Sequence, residues 1–424
     1  MNSFSFELGE QCAEKLDQAD PIKKYRNEFY LPRKSDGKAC LYFVGNSLGL
    51  QPKKARTYAE EVFSDWEKLA VEGHQAGKHP WYPYHEVLTE STARLVGAKP
   101  IEVVVMNTLT VNLHLMLTSF YRPKHKQNKI IIESGAFPSD QYAVASHAKW
   151  HGYDPKEVVL EWSPRSNEDR LYYEDLEKLM SDNQGEVSLI LLGNVNYRTG
   201  QAFPLQKIAK LAHENEAHLG VDLAHGAGNL ELKLHEDKVD FAVWCSYKYL
   251  NGGPGALGGC FVHEKFAERF DLPRFEGWWG HDKVKRFLME PQFSPMKGAE
   301  GWQLSNPPIL PMATLRASME IFDEVGMAML RKKSEQLTGY FEFLLHNLNV
   351  KGLRILTPSK VDERGCALSL AFGQSGKSLM EKLNSEGVKC DYREPGVLRF
   401  APVPLYNSFR DVFELGEILK KYVG

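Results

Sequence analysis

The chain has 424 residues, 43% of them hydrophobic and 25% charged, with a formal net charge of -3. That composition belongs to a globular protein with room for two or three domains at about 150 residues each, and it leaves no basic field to attract nucleic acid or an anionic membrane. Six well-separated cysteines without a C-x-x-C pair argue against a zinc ribbon and fit a reducing cytoplasm.

The opening stretch "MNSFSFELGEQCAEKLDQAD" is acidic and has no apolar h-region, so no signal peptide is expected. No run of about 18 uncharged apolar residues occurs after it, so no membrane span is expected either. From about residue 100 to 265, short apolar runs alternate with helical patterns. The runs are "VVVMN", "KIIIE", "EVVLEW", "VSLILLGN", "HLGVD", "VDFAVWCS" and "GGCFVH". Several lack a polar face, as strands do when helices cover both sides of a parallel sheet. Between them, "TVNLHLMLTSF" and "LQKIAKLAHENEA" carry apolar residues at helical spacing. The alternation predicts an α/β fold with a large, doubly wound, mainly parallel sheet. A punctuated segment, "GAEGWQLSNPPILP", precedes a helical stretch from about Met312 to Asn347. Strands and helices then alternate to the end, which predicts a smaller α+β domain. The expected division is an N-terminal segment over 1–55 that joins the small domain, a large domain over 56–305 and a small C-terminal domain over 306–424.

Ligands of open α/β sheets bind beyond the carboxyl ends of the strands, so the residues just after each run carry most weight. After "VVVMN", Thr110 lies at the start of a helix, where a hydroxyl caps or free N–H groups hold a phosphate. After "KIIIE" comes Phe137-Pro138-Ser139-Asp140, either a turn with an N-cap or a ring platform with a carboxylate. At the end of "HLGVD", Asp222 closes an apolar strand and His225 stands three residues on. A buried carboxylate needs a partner, and the choices are a metal, a structural network or a cationic cofactor. No third ligand of suitable spacing supports the metal. After "VDFAVWCS", Lys248 stands between Tyr247 and Tyr249, before a cluster of glycines. A lysine at the mouth of a buried strand either snorkels to water or is desolvated for nucleophilic use. The adjoining "GPGALG" matches a dinucleotide fingerprint, but it leads into a strand and not a helix.

Asp222 and Lys248 end successive strands, with a phosphate cradle earlier in the chain. That set suits pyridoxal 5'-phosphate, whose aldehyde takes a lysine and whose ring nitrogen takes an anion. Tyr247 is then placed to hydrogen-bond the phosphate and Phe137 to stack on the ring.

The segments "NTLTVNLHL", "FPSDQYA", "VDLAHGAGN", "WCSYKYLNGGPG", "GWWGH", "SNPPIL" and "APVPLYNSF" together resemble the kynureninase family of pyridoxal-phosphate hydrolases. The resemblance runs from "GNSLGL" near residue 45 to "APVPLYNSF". It implies the aspartate-aminotransferase type of fold and a homodimer with active sites near the subunit interface. It also implies hydrolysis of L-kynurenine, in tryptophan degradation and NAD biosynthesis, to anthranilate and L-alanine. Residue by residue, it implies that Lys248 carries the cofactor and that Asp222 pairs with the pyridinium. Asp140 and His225 are implied close to the ring, with Tyr247 assisting proton transfer. Leu109, Thr110, Phe137, Pro138, Ser139, Tyr247, Trp278 and Asn306 become cofactor neighbours, Trp278 and Asn306 across the dimer. Arg399 is implied to clamp the substrate α-carboxylate, and His74 and Asn306 to face the substrate's aromatic ring. Some relatives carry a hydroxyl where this chain has Gly193–Asn194, which leaves a cofactor contact there open.

Three rivals share part of the pattern. A cysteine desulfurase of the same fold needs a reactive thiol, for which Cys366 and Cys390 lack an obvious activator. An aminotransferase shares the lysine and the acid. A binding protein that has lost its chemistry shares only the fold.

Overall fold

Each of the seven Val- and Ile-rich runs forms a strand in the computed structural model, which describes residues 6–347 and 353–423. The first five residues of the expected 1–55 segment therefore lie outside the described residues. A two-residue strand, β1 (Leu41–Tyr42), comes first. The runs then form β2 (Val103–Met106), β3 (Lys129–Glu133), β4 (Val159–Trp162), β5 (Val187–Gly193), β6 (His218–Asp222), β7 (Phe241–Cys245) and β8 (Gly258–Val262). They pair in the order β2-β8-β7-β6-β5-β3-β4. Only β8 runs against its neighbours, β2 and β7, and the other pairings are parallel.

Every residue of β7 and β8 is buried, which is why these runs have no polar face. Alternate side chains feed two separate cores on the two faces of the sheet. Val103, Val105, Ile131 and Ile190 enter one. Val104, Ile130, Ile132, Leu189 and Leu191 enter the other. This is the mainly parallel α/β fold that the run pattern predicts. The glycine-rich "GPGALG" leads into β8 and opens no helix, so it has no dinucleotide geometry.

A third core forms from both ends of the chain. Cys12, Ala13, Leu41 and Phe43 pack with Leu368, Leu370, Leu398, Phe400, Val412 and Leu415. Its sheet is antiparallel, in the order β12 (Asp391–Arg393), β13 (Val397–Phe400), β10 (Leu368–Ala371), β9 (Arg354–Ile355). A short β11 (Val388–Lys389) pairs in parallel with β1.

One expectation changes. The helical stretch from Met312 to Asn347 is two helices, Ile309–Val325 and Met327–Asn347. Gly326 separates them with φ of 76°, a left-handed conformation that glycine adopts without a Cβ clash.

Candidate active site

The parallel strands deliver their carboxyl ends to one edge of the sheet. Glu133 closes β3, Gly193 closes β5, Asp222 closes β6, and Lys248 lies three residues beyond β7. These groups line a single cavity together with Leu109, Thr110, Phe137, Ser139, Asp140, Val195, Tyr197, Ala224, His225 and Tyr247. Asp222 and Lys248 thus meet in one space.

Thr110 does not cap its helix. The N-cap of Leu109–Phe120 is Thr108, and its side chain makes no capping bond. The first intrahelical bond runs from the Asn112 N–H to the Thr108 carbonyl. The N–H groups of the first turn are therefore available to an anion at the cavity wall, and the helix dipole favours one there. Phe137, not Ser139 or Asp140, is the N-cap of Pro138–Trp150. Ser139 and Asp140 lie in that helix's first turn, and Pro138 sets it from the first helical position. Lys248 Nζ stands 5.7 Å from the centre of the Phe137 ring.

Three carboxyl groups, Glu133, Asp140 and Asp222, line the cavity. Asp222 Oδ1 accepts the Ala224 N–H at 2.6 Å. Burial pushes Asp140 well above the usual carboxylate range, and the neighbouring Asp222 and Glu133 push it further. Burial also raises Asp222 above its ordinary value, but the Lys248 charge, the Ala224 N–H and a hydrogen bond from Asp140 offset part of that rise. Asp140 therefore keeps the proton and Asp222 is the anionic member of the pair. Glu133 is pushed up to about 8 by burial, against the Gly193 N–H that donates to its Oε2 at 2.9 Å.

Lys248, His225 and Tyr247 line the cavity as well. Lys248 Nζ lies 3.3 Å from His225 Nε2. Burial and then the charges of Lys248, Arg399 and Arg393 hold His225 well below its ordinary value, so the imidazole is neutral. Tyr247 is held protonated by burial and by Cys245 and Asp222. Its hydroxyl is a donor at neutral pH.

A buried anion at Asp222, an amine at Lys248, an aromatic platform at Phe137 and an uncapped helix start fit pyridoxal phosphate: ring nitrogen, aldehyde, ring face and phosphate each find a matching group. The metal alternative finds no such match. Among the described residues, the His and acid clusters with ligand-like spacing are Glu102, His235, His263 and His85, Glu86, Glu300, and neither includes Asp222 or His225.

Comparison with known proteins agrees with the geometry. A family model for the kynureninase C-terminal domain matches residues 330–419, and one for class I and II aminotransferases matches residues 44–245. A kynureninase of Myxococcus xanthus is 58% identical over 98% of both chains. One from Koribacter versatilis is 56% identical over 97% of both. The chain belongs to the kynureninase family. Similar solved structures include a cysteine desulfurase of Thermococcus onnurineus, with a TM-score of 0.73 and 18% identity over 100% of this chain and 99% of that one. The cystine C-S lyase C-DES gives 0.76 and 16% over 91% and 98%. At such identity these establish the fold alone.

The desulfurase rival fails on its thiol. Cys366 and Cys390 are each pushed up to about 12 by burial, so neither is a ready nucleophile.

Four residues that the kynureninase resemblance implicates do not line this cavity, and Pro138 acts only through its helix. Arg399 is joined to the cavity through Tyr197, whose carbonyl accepts its Nη1. His74 stacks on Tyr82 at 4.7 Å. The Trp278 Nε1–H donates to the Arg286 carbonyl at 3.1 Å, and Asn306 is exposed. Gly193 lines the cavity, whereas Asn194 does not. Sequence reasoning missed Glu133, Val195, Tyr197 and Ala224. Glu133 had a signal, since it ends the run "KIIIE" as Asp222 ends "HLGVD".

Proposed function

We propose that this chain is a pyridoxal-phosphate-dependent hydrolase that converts L-kynurenine to anthranilate and L-alanine. The observation that carries the reading is that Lys248 and Asp222 line one cavity, beside an uncapped helix start. Full-length relatives named kynureninase support the substrate.

In this reading Lys248 holds the cofactor aldehyde, Asp222 the ring nitrogen, Phe137 the ring face, and Leu109, Thr110 and Ser139 the phosphate end. Bound pyridoxal phosphate supplies the electron sink that makes the substrate's Cα–H acidic. Asp140 donates to Asp222 and keeps that carboxylate fixed as an anion. Lys248 Nζ takes the Cα proton, and neutral His225 accepts a hydrogen bond from it and aims it. The Tyr247 hydroxyl, held protonated, is the donor available to the leaving carbon. Hydrolysis breaks the Cβ–Cγ bond: the hydroxyl of water ends on the acyl carbon of anthranilate and a proton on Cβ of alanine. Arg399 takes the α-carboxylate.

In this reading the protein is a homodimer, which would account for Trp278 and Asn306 missing the cavity. Trp278 and Asn306 are exposed, and in this reading they reach the site of a second copy. Among the described residues no helix is long and apolar enough to cross a membrane. A cytoplasmic place in tryptophan degradation, feeding NAD biosynthesis, is consistent with the substrate. The test is incubation of the holoprotein with L-kynurenine and 3-hydroxy-L-kynurenine, reading the arylcarboxylate by fluorescence and alanine by coupled assay. Transfer of the amino group to a 2-oxo acid with no arylcarboxylate would overturn the reading in favour of an aminotransferase.

A further inference from the structure

Arg399 is not a free guanidinium waiting for a ligand. It sits on β13, and its side chain is 2% exposed. Its Nε donates to Asp391 Oδ1 at 2.6 Å, and its Nη2 donates to Asp391 Oδ2. Asp391 lies directly across the ladder on β12. Nη1 donates to the carbonyl of Tyr197. Three of the five N–H groups are thus committed, which leaves one on each terminal nitrogen. A carboxylate that spans two nitrogens of a guanidinium needs just such a pair.

A second cation shares the same acid. Arg393 Nη2 lies 3.3 Å from Asp391 Oδ2, and Arg393 Nε is buried without a hydrogen-bond partner among the described residues. Both arginines act on buried His225, which holds Lys248. Arg399 is also tied to the cavity wall by Tyr197, whose ring packs edge-on against Phe137 at 5.3 Å. Two arginines and one aspartate sum to a single positive charge. One carboxylate neutralises it.

We propose that Asp391 is a positioning residue for substrate binding: it grips the Nε edge of Arg399 and leaves one N–H on each terminal nitrogen for a carboxylate, and with Arg393 it sets the site's charge to accept one α-carboxylate. The inference rests on the reading of Arg399 as the carboxylate clamp. An aspartate that merely occupied Arg399 until substrate displaced it would have the opposite effect on affinity, so the two roles separate by experiment.

The test is Asp391→Asn in the holoprotein, with Asp391→Glu beside it. For Asp391→Asn, KM for L-kynurenine rises at least tenfold, about 1.4 kcal/mol, while kcat falls much less. Affinity for L-alanine, read from the change in cofactor absorbance, falls by the same factor, and affinity for pyridoxal phosphate stays within twofold. Asp391→Glu recovers part of the loss. An unchanged or lower KM overturns the proposal, because Asp391 then competes with substrate or does nothing. Equal losses in KM, kcat and cofactor affinity also overturn it, because Asp391 is then only a strut. The alanine measurement stands whether or not kynurenine is the substrate, so failure of the functional reading stays distinct from failure of this one.

Discussion

Lys248 Nζ lies 3.3 Å from His225 Nε2, and the imidazole it meets is stripped of its extra proton by burial and by three nearby cations. The pair therefore carries one positive charge at most. A neutral histidine aims the lysine without repelling it.

In the proposed mechanism, replacing Lys248 with alanine removes both the amine that anchors the cofactor and the group that takes the Cα proton. Turnover is lost, and so is the visible absorbance of lysine-bound pyridoxal phosphate. Activity together with the wild-type spectrum in the variant would remove Lys248 from the mechanism.

Asp222→Asn keeps the shape of the side chain but discharges the anion that faces the cavity. A hydrogen bond to a charged group contributes about 1.5–3 kcal/mol. The variant should bind pyridoxal phosphate roughly 10- to 100-fold more weakly, measured by titrating the stripped protein. Wild-type affinity would place the ring nitrogen elsewhere.

Glu133 gives a pH signature of defined sign. Its carboxyl is pushed up to about 8 by burial, from an ordinary 4.5. Below the ordinary value, folded and unfolded chains both hold the proton and stability is complete. Between the two values only the folded chain holds it, so stability falls as pH rises toward the folded value. Glu133→Gln is neutral throughout. Its melting temperature should gain on the wild type from pH 5 to 8 and then hold level. For a chain of 424 residues a gain of about 1 kcal/mol is worth roughly 1 °C. A constant difference across that range would mean that Glu133 is ionised in the fold.

Asp240 sets the opposite case, away from the active cavity. Burial alone would raise it, but His213 and His218 by hydrogen bonds and Lys265 by charge hold its carboxyl far below the usual range. Its Oδ2 lies 2.9 Å from His213 Nε2 and accepts the Leu219 N–H at 2.7 Å. A depressed acid stabilises the fold above its ordinary value and loses that contribution as pH falls toward its folded value. Asp240→Asn should cost about 3 kcal/mol near neutrality, read from the urea midpoint. The gap should close in acid, while kcat per folded molecule is retained.

Much of the fold was legible because burial on both faces leaves an unbroken apolar run, and seven such runs became seven strands. The Asp222–Lys248 pair was legible for the same reason: a charge at the end of such a run has to be explained. Glu133 obeyed that rule and was still passed over, since one glutamate after three isoleucines reads as a solvated strand end. Asp391 gave no signal, because its partner Arg399 is eight residues away and meets it only once two antiparallel strands pair. The break at Gly326 was visible as a glycine, but helical spacing continues on both sides of it. Trp278, Asn306 and His74 came from the family resemblance, and no property of a single chain places them in its own cavity.

The strand β8 runs backwards next to β7, so the span that carries Lys248 leaves the sheet and returns to the adjacent position. Both of its ends are clamped by neighbouring interior strands, β7 and β8. Releasing that span means unpairing two interior strands of the sheet, and its flanking amides should exchange with deuterated solvent only as slowly as the whole molecule opens. The amine that, in the proposed reaction, lets go of its partner in each cycle thus swings on a fixed hinge post, and any breathing that admits substrate is left to the surrounding loops.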